Sequence, residues 1–254
     1  AMLWTRDFTL ESWKAVLGDM EIIKAFGITF ARTVIVTFFQ TLITAMFAYG
    51  FSRGNLTGKK FYTVIGFLSM YLNGGVIAYF ILFNAIHIYN TFWVYILPCL
   101  FGGFYNVIIF NTNFKAIPES LFESAKIDGA SETKIFFRLV LPLSKPVLSA
   151  LGIFTAVAMW NDYTQTLYYT KSTDLQTLSY YTLSLTKSSE AAANLGNAMN
   201  SGMSSVLTAL SDAASNYKTI ELACMVLSAI PLIVMYPFAQ KFFEKGVMVG
   251  SVKG

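Results

Sequence analysis

Long apolar stretches dominate this sequence and constrain its fold more than any other feature. A helix needs about 20 mostly apolar residues to cross a hydrocarbon core of about 30 Å. Backbone groups in lipid must be hydrogen-bonded within the protein, which favours helices because they satisfy their own backbone. We therefore predict an all-α, polytopic transmembrane bundle. The stretches that reach this length are Ile28–Phe51, Phe61–Phe83, Thr91–Phe110, Pro142–Tyr163 and Thr219–Gln240.

The composition agrees with a membrane protein and leaves little room for a soluble domain. Hydrophobic residues make up 55% of the chain and charged residues 13%, whereas an average soluble domain is roughly 25% charged. The segments outside the predicted spans are far shorter than the roughly 100 residues of a typical domain. Residues 1–254 are therefore predicted to form a single transmembrane domain. Cys99 and Cys224 fall inside predicted spans, where they are expected to pack as small apolar residues.

The distribution of positive charge predicts the orientation of the chain in the membrane. Lysine and arginine in short loops resist translocation and stay on the cytoplasmic side. Two loops and the tail 241–254 are rich in these residues, so the C-terminus is predicted to be cytoplasmic. The outer side then carries the N-terminal segment 1–27 and the long loop 164–218. The cytoplasmic residues are Arg53, Lys59, Lys60, Lys115, Lys126, Lys134, Arg138, Lys145, Lys241, Lys245 and Lys253.

The N-terminal segment 1–27 is difficult to reconcile with five spans alone. A cytoplasmic C-terminus places this segment outside, yet it contains neither the apolar region of a signal peptide nor a membrane span. We therefore expect a sixth, N-terminal transmembrane helix in the native protein. A five-span protein with a translocated N-terminal tail is the alternative.

The cytoplasmic loop 116–141 is predicted to begin with a short amphipathic helix. Pro118 suits a first helical position because it has no N–H to leave unpaired. The negative charge of Glu119 in the first turn favours the N-terminal end of the helix dipole. An apolar stripe at a spacing of four residues is formed by Ile117, Leu121 and Ala125.

A second short helix is predicted to follow a tight turn in this loop. Gly129 supplies the permissive backbone that ends the first helix, and Ser131 can cap the second. The apolar face of the second helix contains Ile135, Phe136 and Leu139. Two helices of this size cannot form a core alone and need another surface to cover them. That surface is either a partner protein, or the headgroup layer and the neighbouring spans.

Polar side chains within the spans are the candidates for contact with a transported solute. Trp160, Asn161 and Asp162 stand at consecutive positions at the outer end of the fourth span, so they cannot all face lipid. Ionisable residues are otherwise almost absent from the spans, which favours an uncharged, hydroxyl-rich solute over an ion. Uncharged polar residues more often join neighbouring helices than bind a ligand. Those within the spans are Gln40, Asn73 and Asn106.

Two further features of the spans concern packing rather than transport. Arg32 lies near the outer end of the first span, and we expect its side chain to extend outward to the membrane surface. Gly74 and Gly75 in the second span allow close helix approach or a break in the helix.

Catalytic and metal-binding motifs do not emerge from the sequence. The segment Gly54-Asn-Leu-Thr-Gly58-Lys59-Lys60 is one residue shorter than a phosphate-binding loop and lacks its Ser or Thr. His87, the single histidine, has no Asp, Glu or Cys beside it, so a metal site is not expected. The spans show no paired carboxylates and no Ser/His pairing, so an intramembrane enzyme is disfavoured.

Motifs along the chain resemble those of one transporter family. Glu123-Ser-Ala125, Gly129 and Leu141-Pro142 are similar in spacing to the EAA loop of permease subunits of binding-protein-dependent ABC importers. Ser124 stands where the family usually has Ala, and Leu139 where it usually has Ile. Other stretches resemble the second permease of oligosaccharide importers. They are Phe8-Thr-Leu-Glu11, Ile127-Asp-Gly-Ala-Ser131, Leu141-Pro-Leu-Ser-Lys-Pro146, Trp160-Asn161 and residues 236–254.

The resemblance covers essentially the whole chain and implies a fold, a location and partners. The fold is a type I ABC importer bundle in the bacterial cytoplasmic (inner) membrane, and the family pattern begins with one more transmembrane helix. This chain would pair with a second, homologous permease. Two copies of an ATP-binding subunit would carry ATP and Mg, and an extracellular solute-binding protein would deliver an oligosaccharide. The chain itself would bind no cofactor, catalyse no reaction and contact no nucleic acid.

The resemblance also implies roles for particular residues. The loop 116–141 would dock on an ATP-binding subunit and move as a lever, through Glu123, Ser124, Ala125, Asp128, Gly129, Leu141 and Pro142, with Lys253 of the tail. The substrate path would include Trp160, Asn161, Asp162, Asn106 and Asn73. In the related maltose system the sugar site lies mainly on the other permease. The alternatives are a permease for a different solute and a sugar facilitator that works without an ATPase.

Overall fold

The computed structural model describes residues 17–53, 56–72, 74–198 and 218–234, together with residues 236, 237 and 240. Regular secondary structure in this part of the chain is helical, as predicted, and contains no strand. The helices in chain order are α1 Met20–Ser52, α2 Lys59–Tyr71, α3 Gly75–Ala85, α4 Trp93–Cys99, α5 Gly103–Lys115, α6 Glu119–Ile127, α7 Glu132–Leu143, α8 Lys145–Asn161, α9 Thr164–Tyr169, α10 Leu178–Ala198 and α11, which contains residues 218–234.

The helices account for the predicted apolar stretches but leave the number of spans open. Helix α1 is long and apolar enough to cross a membrane by itself. Three pairs, α2 with α3, α4 with α5 and α7 with α8, meet the same criterion only if each bent pair counts as one span. The described helices therefore supply between one and four spans by length and composition. The fifth predicted span, Thr219–Gln240, includes α11 and residues outside the described part.

Glycine pairs mark two of the breaks between helices. Helices α2 and α3 are bent by 111°, and Gly75 has a φ of +73°. Helices α4 and α5 are bent by 49°, and Gly103 also has a φ of +73°. A residue with a Cβ would be strained by roughly 1–2 kcal/mol in this left-handed conformation. The break allowed by Gly74 and Gly75 is confirmed, whereas the second break was not predicted.

The chain divides into two compact units, each with its own apolar core. The first unit contains Ala1–Ala31 and Trp160–Ile233, and the second contains Arg32–Met159 and Val234–Gly254. Ile22, Trp160, Leu178, Leu185, Ala223 and Cys224 form the core of the first unit. The core of the second unit contains Ala45, Ala48, Tyr49, Phe51, Phe104, Val107, Phe110, Phe114, Phe122, Ile135, Phe136, Val140 and Leu151. The assignment of residues 1–254 to a single transmembrane domain stays a prediction.

Two ionisable side chains in the predicted spans are buried, although Arg32 was expected to extend to the membrane surface. Arg32 does not extend outward, because its side chain is fully buried and its guanidinium lies 5.0 Å from the centre of the Tyr95 ring. Attraction between the cation and the ring helps to offset its burial. Glu221 is 1% exposed. Its carboxylate accepts hydrogen bonds from Thr186 Oγ1 at 2.9 Å and Lys218 Nζ at 3.1 Å, which compensate for the lost water.

Close packing between α2 and α5 depends on a glycine. A Cβ placed on Gly66 would overlap the ring of Phe104, which is buried in the core of the second unit. The side chain of Phe104 therefore packs directly on the backbone of α2. Small residues serve this purpose in membrane helices because they let the neighbouring helix approach closely.

Substitution of Gly66 tests this packing. We expect Gly66→Ala to lower the melting temperature of the detergent-solubilised protein, since overpacking typically costs about 1–3 kcal/mol. Gly27→Ala is the matched control, because a Cβ at Gly27 meets nothing within 4 Å. Fluorescence-detected size exclusion after heating gives the two melting temperatures. Equal or higher stability of Gly66→Ala would contradict the packing described here.

Candidate coupling segment and substrate cavity

The loop 116–141 forms the two short helices that the sequence predicted, joined by a rigid turn. Helix α6 follows Pro118 and ends at Ile127. Gly129 has a φ of +72°, and its N–H donates to Lys126 O at 3.0 Å. The N–H of Ala130 donates to Ala125 O at 2.9 Å. These two bonds form a Schellman motif, which fixes the helix end with glycine at its left-handed position.

The second helix starts at the predicted cap. The side chain of Ser131 accepts a hydrogen bond from Lys134 N at 3.3 Å, so it satisfies one free N–H at the start of α7. Ile135 and Phe136 are 2% and 3% exposed and belong to the core of the second unit. The apolar face of α7 is therefore covered by this chain's own helices.

The first helix presents a different apolar face from the predicted one. Phe122 is 2% exposed and lies in the core, with Ile117 and Ala125 packed beside it. Leu121, which was assigned to the buried stripe, is instead 40% exposed. The stripe follows the helical period of 3.6 residues rather than a strict spacing of four. The loop does pack against neighbouring helices of this chain, as one of the two alternatives predicted. These helices cover one face of α6 and leave the other face exposed.

Polar contacts tie this loop to the end of α1. The Tyr49 hydroxyl donates to Glu132 Oε2 at 2.5 Å, and Lys126 Nζ lies 3.3 Å from Glu132 Oε1. Tyr49 is on α1 and Lys126 is on α6, so the Glu132 carboxylate joins three helices. Charge-assisted hydrogen bonds of this kind are stronger than neutral ones.

Arg53, just after the end of α1, makes a second connection to the loop. Its guanidinium lies 4.1 Å from the centre of the Phe122 ring, and its Nη2 is 3.2 Å from Glu119 Oε1. The ion pair alone contributes little, because the Glu119 side chain is 67% exposed. Together with the buried Phe122 ring, the contacts hold α6 against the end of α1. From the sequence, Arg53 was expected only to contribute positive charge to the cytoplasmic side of the membrane.

The outer face of the segment is exposed. Glu123, Ser124, Asp128 and Gly129 are exposed, Ala125 and Leu141 are half-buried, and Pro142 is exposed. Ile127 at the tip is 86% exposed. Lys253 lies outside the described residues. The loop therefore has one face anchored in the second unit and one face with both apolar and acidic groups in solvent.

A cavity of about 410 Å³ lies in the second unit beside α5. Asn106 and Gln40 contribute amide groups to its lining, and Tyr105 and Phe154 contribute aromatic rings. A Cβ on Gly102 would lie 2.7 Å from Asn106 Nδ2 and 3.2 Å from Gln40 Nε2. The two amides therefore converge on the backbone at the break between α4 and α5. The glycine pair was the signal in the sequence that could have located this break.

The other residues assigned to the substrate path have different surroundings. Trp160 is 3% exposed, and its indole N–H donates to Ser228 O at 2.9 Å in the first unit. Its ring meets that of Phe26 edge to face at 5.6 Å. Asp162 accepts a hydrogen bond from Thr164 N at 3.0 Å, and Asn161 is exposed. Asn73 lies outside the described residues. Trp160 therefore packs in a core, whereas Asn106 lines a cavity.

These features match those of membrane transport components. The sequence matches the family described as "Binding-protein-dependent transport system inner membrane component" over residues 40–249. The chain belongs to this family and is an integral membrane permease component of the ABC transporter class. The resemblance recognised from its motifs is confirmed.

Curated relatives support the assignment, and a solved structure shares the fold. The chain is 32% identical to Protein LplC of Bacillus subtilis, with 99% of this chain and 81% of that protein covered. It is also 32% identical to the Polygalacturonan/rhamnogalacturonan transport system permease protein YtcP of the same organism, covering 97% and 82%. A chain in the crystal structure of a bacterial ABC transporter that imports the acidic polysaccharide alginate has a TM-score of 0.76 at 23% identity, covering 93% and 80%. That likeness concerns the fold.

The Tyr49 and Glu132 contact can be tested by a double-mutant cycle. Tyr49→Phe removes the donor and Glu132→Gln removes the charge, and we expect a coupling energy of about 1 kcal/mol in unfolding. Tyr62→Phe, at a tyrosine that is 46% exposed on α2, combined with Glu132→Gln is the control and should show additive effects. Additive effects for Tyr49→Phe and Glu132→Gln as well would show that this hydrogen bond does not help to hold the loop 116–141 against α1.

The same contact predicts a pH dependence. Glu132 lies before the fourth predicted span, and the hydrogen bond from Tyr49 holds the pKa of its carboxyl below the ordinary value of 4.5. A lowered folded-state pKa means that the stabilisation is present above pH 4.5 and is lost as pH falls through the folded-state pKa. The stability difference between wild type and Glu132→Gln should therefore be constant near neutral pH and shrink in acid. A difference that changed between about pH 6 and pH 8 would contradict this assignment.

Proposed function

We propose that this chain is the membrane permease subunit of an ATP-driven importer for an oligosaccharide. The observation that carries the proposal is the loop 116–141, which has one face anchored to the end of α1 and the other exposed in a chain of this transporter family. In the proposed complex, an extracellular solute-binding protein delivers the sugar. ATP-binding subunits then drive its passage into the cytoplasm.

The substrate class is inferred from several relatives. Proteins similar to this chain are named as permeases for arabinooligosaccharides, galactooligosaccharides and maltodextrin. YtcP is named for polygalacturonan/rhamnogalacturonan. These names differ in the sugar but share oligomeric carbohydrate. An ABC importer permease for a different solute is the alternative.

The proposed assembly contains partners that supply what this chain lacks. A second, homologous permease would complete the path through the bacterial inner membrane, and two copies of an ATP-binding subunit would carry ATP and Mg. The positive charges of the loops favour a cytoplasmic position for the tail 241–254 and the loop 116–141. Hydrolysis would occur on the partners, and this chain would be a transport component without catalysis of its own.

The exposed face of the loop is suited to docking on an ATP-binding subunit. Ile127, at 86% exposed, supplies an apolar contact at the tip. Glu123 and Asp128 supply acidic groups around it, and Ser124 and Ala125 allow close approach. A hydrophobic centre with a polar rim is the usual arrangement of a protein interface. Leu141, Pro142 and Lys253 are proposed as additional contacts.

Rigid attachment explains how docking could move the membrane helices. Phe122, Ile135 and Phe136 belong to one packed core with residues of α1 and α5. A displacement of the docked loop would therefore be transmitted through packed side chains rather than lost in a flexible linker. ATP binding would favour one conformation of the pair of permeases by binding it more tightly, and hydrolysis would reverse the preference.

Residues of the substrate path are proposed from the sequence and their surroundings. Asn106 is favoured because it lines a cavity. Asn161 and Asp162 remain proposals at the end of α8, and Asn73 remains one outside the described residues. Trp160 would act by supporting its neighbours, since its side chain is buried and its N–H is already bonded to Ser228.

Reconstitution of the complex tests the proposed function. Proteoliposomes that contain both permeases and the ATP-binding subunits should accumulate a labelled oligosaccharide when ATP and the binding protein are supplied. Omission of the ATP-binding subunits should abolish uptake, because the energy source lies on those partners. Undiminished uptake without them would instead identify a facilitator.

Substitution of Gly129 tests the coupling role separately. We expect Gly129→Val to reduce uptake by at least tenfold with little change in membrane insertion, because a β-branched residue at a φ of +72° is strained. Gly129→Asn is the graded control, since Asn tolerates this conformation, and it should retain most uptake. A Cβ at Gly129 meets nothing within 4 Å, so the effect of Gly129→Val would come from backbone strain and not from a clash of its Cβ with neighbouring atoms. Normal uptake by Gly129→Val would refute the docking role of this turn.

A further inference from the structure

The cavity beside α5 has a lining whose chemistry restricts what it can bind. Its volume of about 410 Å³ falls within the roughly 300–1,000 Å³ of small-molecule sites. Its described lining contains amide, hydroxyl, aromatic and aliphatic side chains, and none of these lining residues is Asp, Glu, Lys, Arg or His. The cavity therefore offers hydrogen bonds but no countercharge for an ion.

The polar groups of the cavity are held close together by the helix break. Gly102 N donates to Thr44 Oγ1 at 2.9 Å, which fixes the break against α1. Asn106 Nδ2 and Gln40 Nε2 both approach the Cα of Gly102, since a Cβ there would lie 2.7 Å and 3.2 Å from them. Two amide nitrogens from different helices thus lie near the same point of the backbone.

One hydrogen-bonding atom in this arrangement has no protein partner among the described residues. Gln40 Oε1 is buried, yet no described donor lies within hydrogen-bonding distance of it. A buried acceptor without a donor is destabilising. A hydroxyl group in the cavity could donate to this atom, and the amides could donate to the oxygens of the same ligand.

The aromatic side chains of the cavity supply the complementary apolar surface. Tyr105 and Phe154 are 62% and 61% exposed in this chain. Flat rings beside a few fixed polar groups are typical of sites that bind a ligand with both apolar and hydrogen-bonding surfaces. A sugar ring has this character, because its C–H groups and its hydroxyls point in different directions.

We propose that this cavity is a sugar subsite of this subunit that takes an uncharged, hydroxyl-bearing ring of the transported oligosaccharide. Gln40 and Asn106 are its hydrogen-bonding residues, and Tyr105 and Phe154 are its apolar surface. A uronate ring is disfavoured because none of the described lining residues carries a positive charge to pair with its carboxylate. The proposal rests on the proposed function and adds the chemical class of ring that this subunit contacts.

Protection from chemical labelling tests the subsite in the assembled importer. The background carries Cys99→Ser and Cys224→Ala, because these are the two cysteines of the chain. Ile109→Cys, which lines the cavity on the same helix as Asn106 but has no hydrogen-bonding role in the proposal, is then labelled with N-ethylmaleimide, an uncharged probe, with and without sugar. Thr112→Cys is the matched control, since Thr112 is exposed on the same helix and does not line the cavity.

The two ligands for this test differ in charge and in the methyl group that removes the charge. Oligogalacturonides of one length are used as the free acid and as the methyl ester. Each is added at a concentration high enough to reach the cavity without a binding protein. We expect the methyl ester to slow labelling of Ile109→Cys at least fivefold, the free acid to have little effect, and Thr112→Cys to be unaffected by either. Equal or stronger protection by the free acid would overturn the proposal.

Uptake kinetics provide a second readout that a structural role would not reproduce. Asn106→Leu and Gln40→Leu should each raise the KM for a neutral oligosaccharide about two- to tenfold, as expected for loss of one hydrogen bond. The maximal uptake rate should stay near that of Thr112→Val, the control. An unchanged KM in both variants would overturn the subsite while leaving the proposed function intact. Absence of ATP-driven uptake by the wild type for every sugar would instead refute the proposed function and, with it, the subsite.

Discussion

Hydrogen bonding of the backbone is the constraint on which the rest of this structure depends. In lipid an unpaired N–H or C=O costs several kcal/mol, so a helix can be interrupted only where protein or a cavity covers the exposed groups. The break at Gly102 meets this condition, because Gly102 N is bonded to Thr44 on α1. The same requirement brings polar side chains to the break, and it is there that the neutral cavity lies. The need to satisfy the backbone and the opportunity to bind a ligand thus have a common origin.

The loop 116–141 combines a buried inner face with an exposed outer face. Its inner face is buried with α1 and α5, and polar contacts from Tyr49 and Arg53 fix it at the end of α1. Its outer face keeps Ile127 in solvent. A segment that is rigid toward the membrane and open toward another protein can pass on a displacement. Neither property alone would serve that purpose.

Several features of the fold and the site could be predicted because they depend on neighbouring residues. The turn at Gly129 and the cap at Ser131 follow from local backbone geometry, and both are present. Other features depended on residues far apart in the sequence. The exposure of Leu121, the burial of Arg32 beside Tyr95 and the hydrogen bond from Tyr49 to Glu132 were not predicted. Sequence spacing defines the faces of a helix, but not which face its neighbours cover.

The sequence by itself determined that this chain is a helical membrane protein of a known transporter family, since apolar length and local motifs need no tertiary information. It also located the segment that is proposed to dock on a partner. The tertiary structure decided which polar residues serve packing and which remain available to a ligand. Trp160 and Asn106 were equal candidates in the sequence, yet one is buried with its N–H bonded and the other lines a cavity. The reason is physical, because the availability of a polar group depends on the partners that folding brings to it.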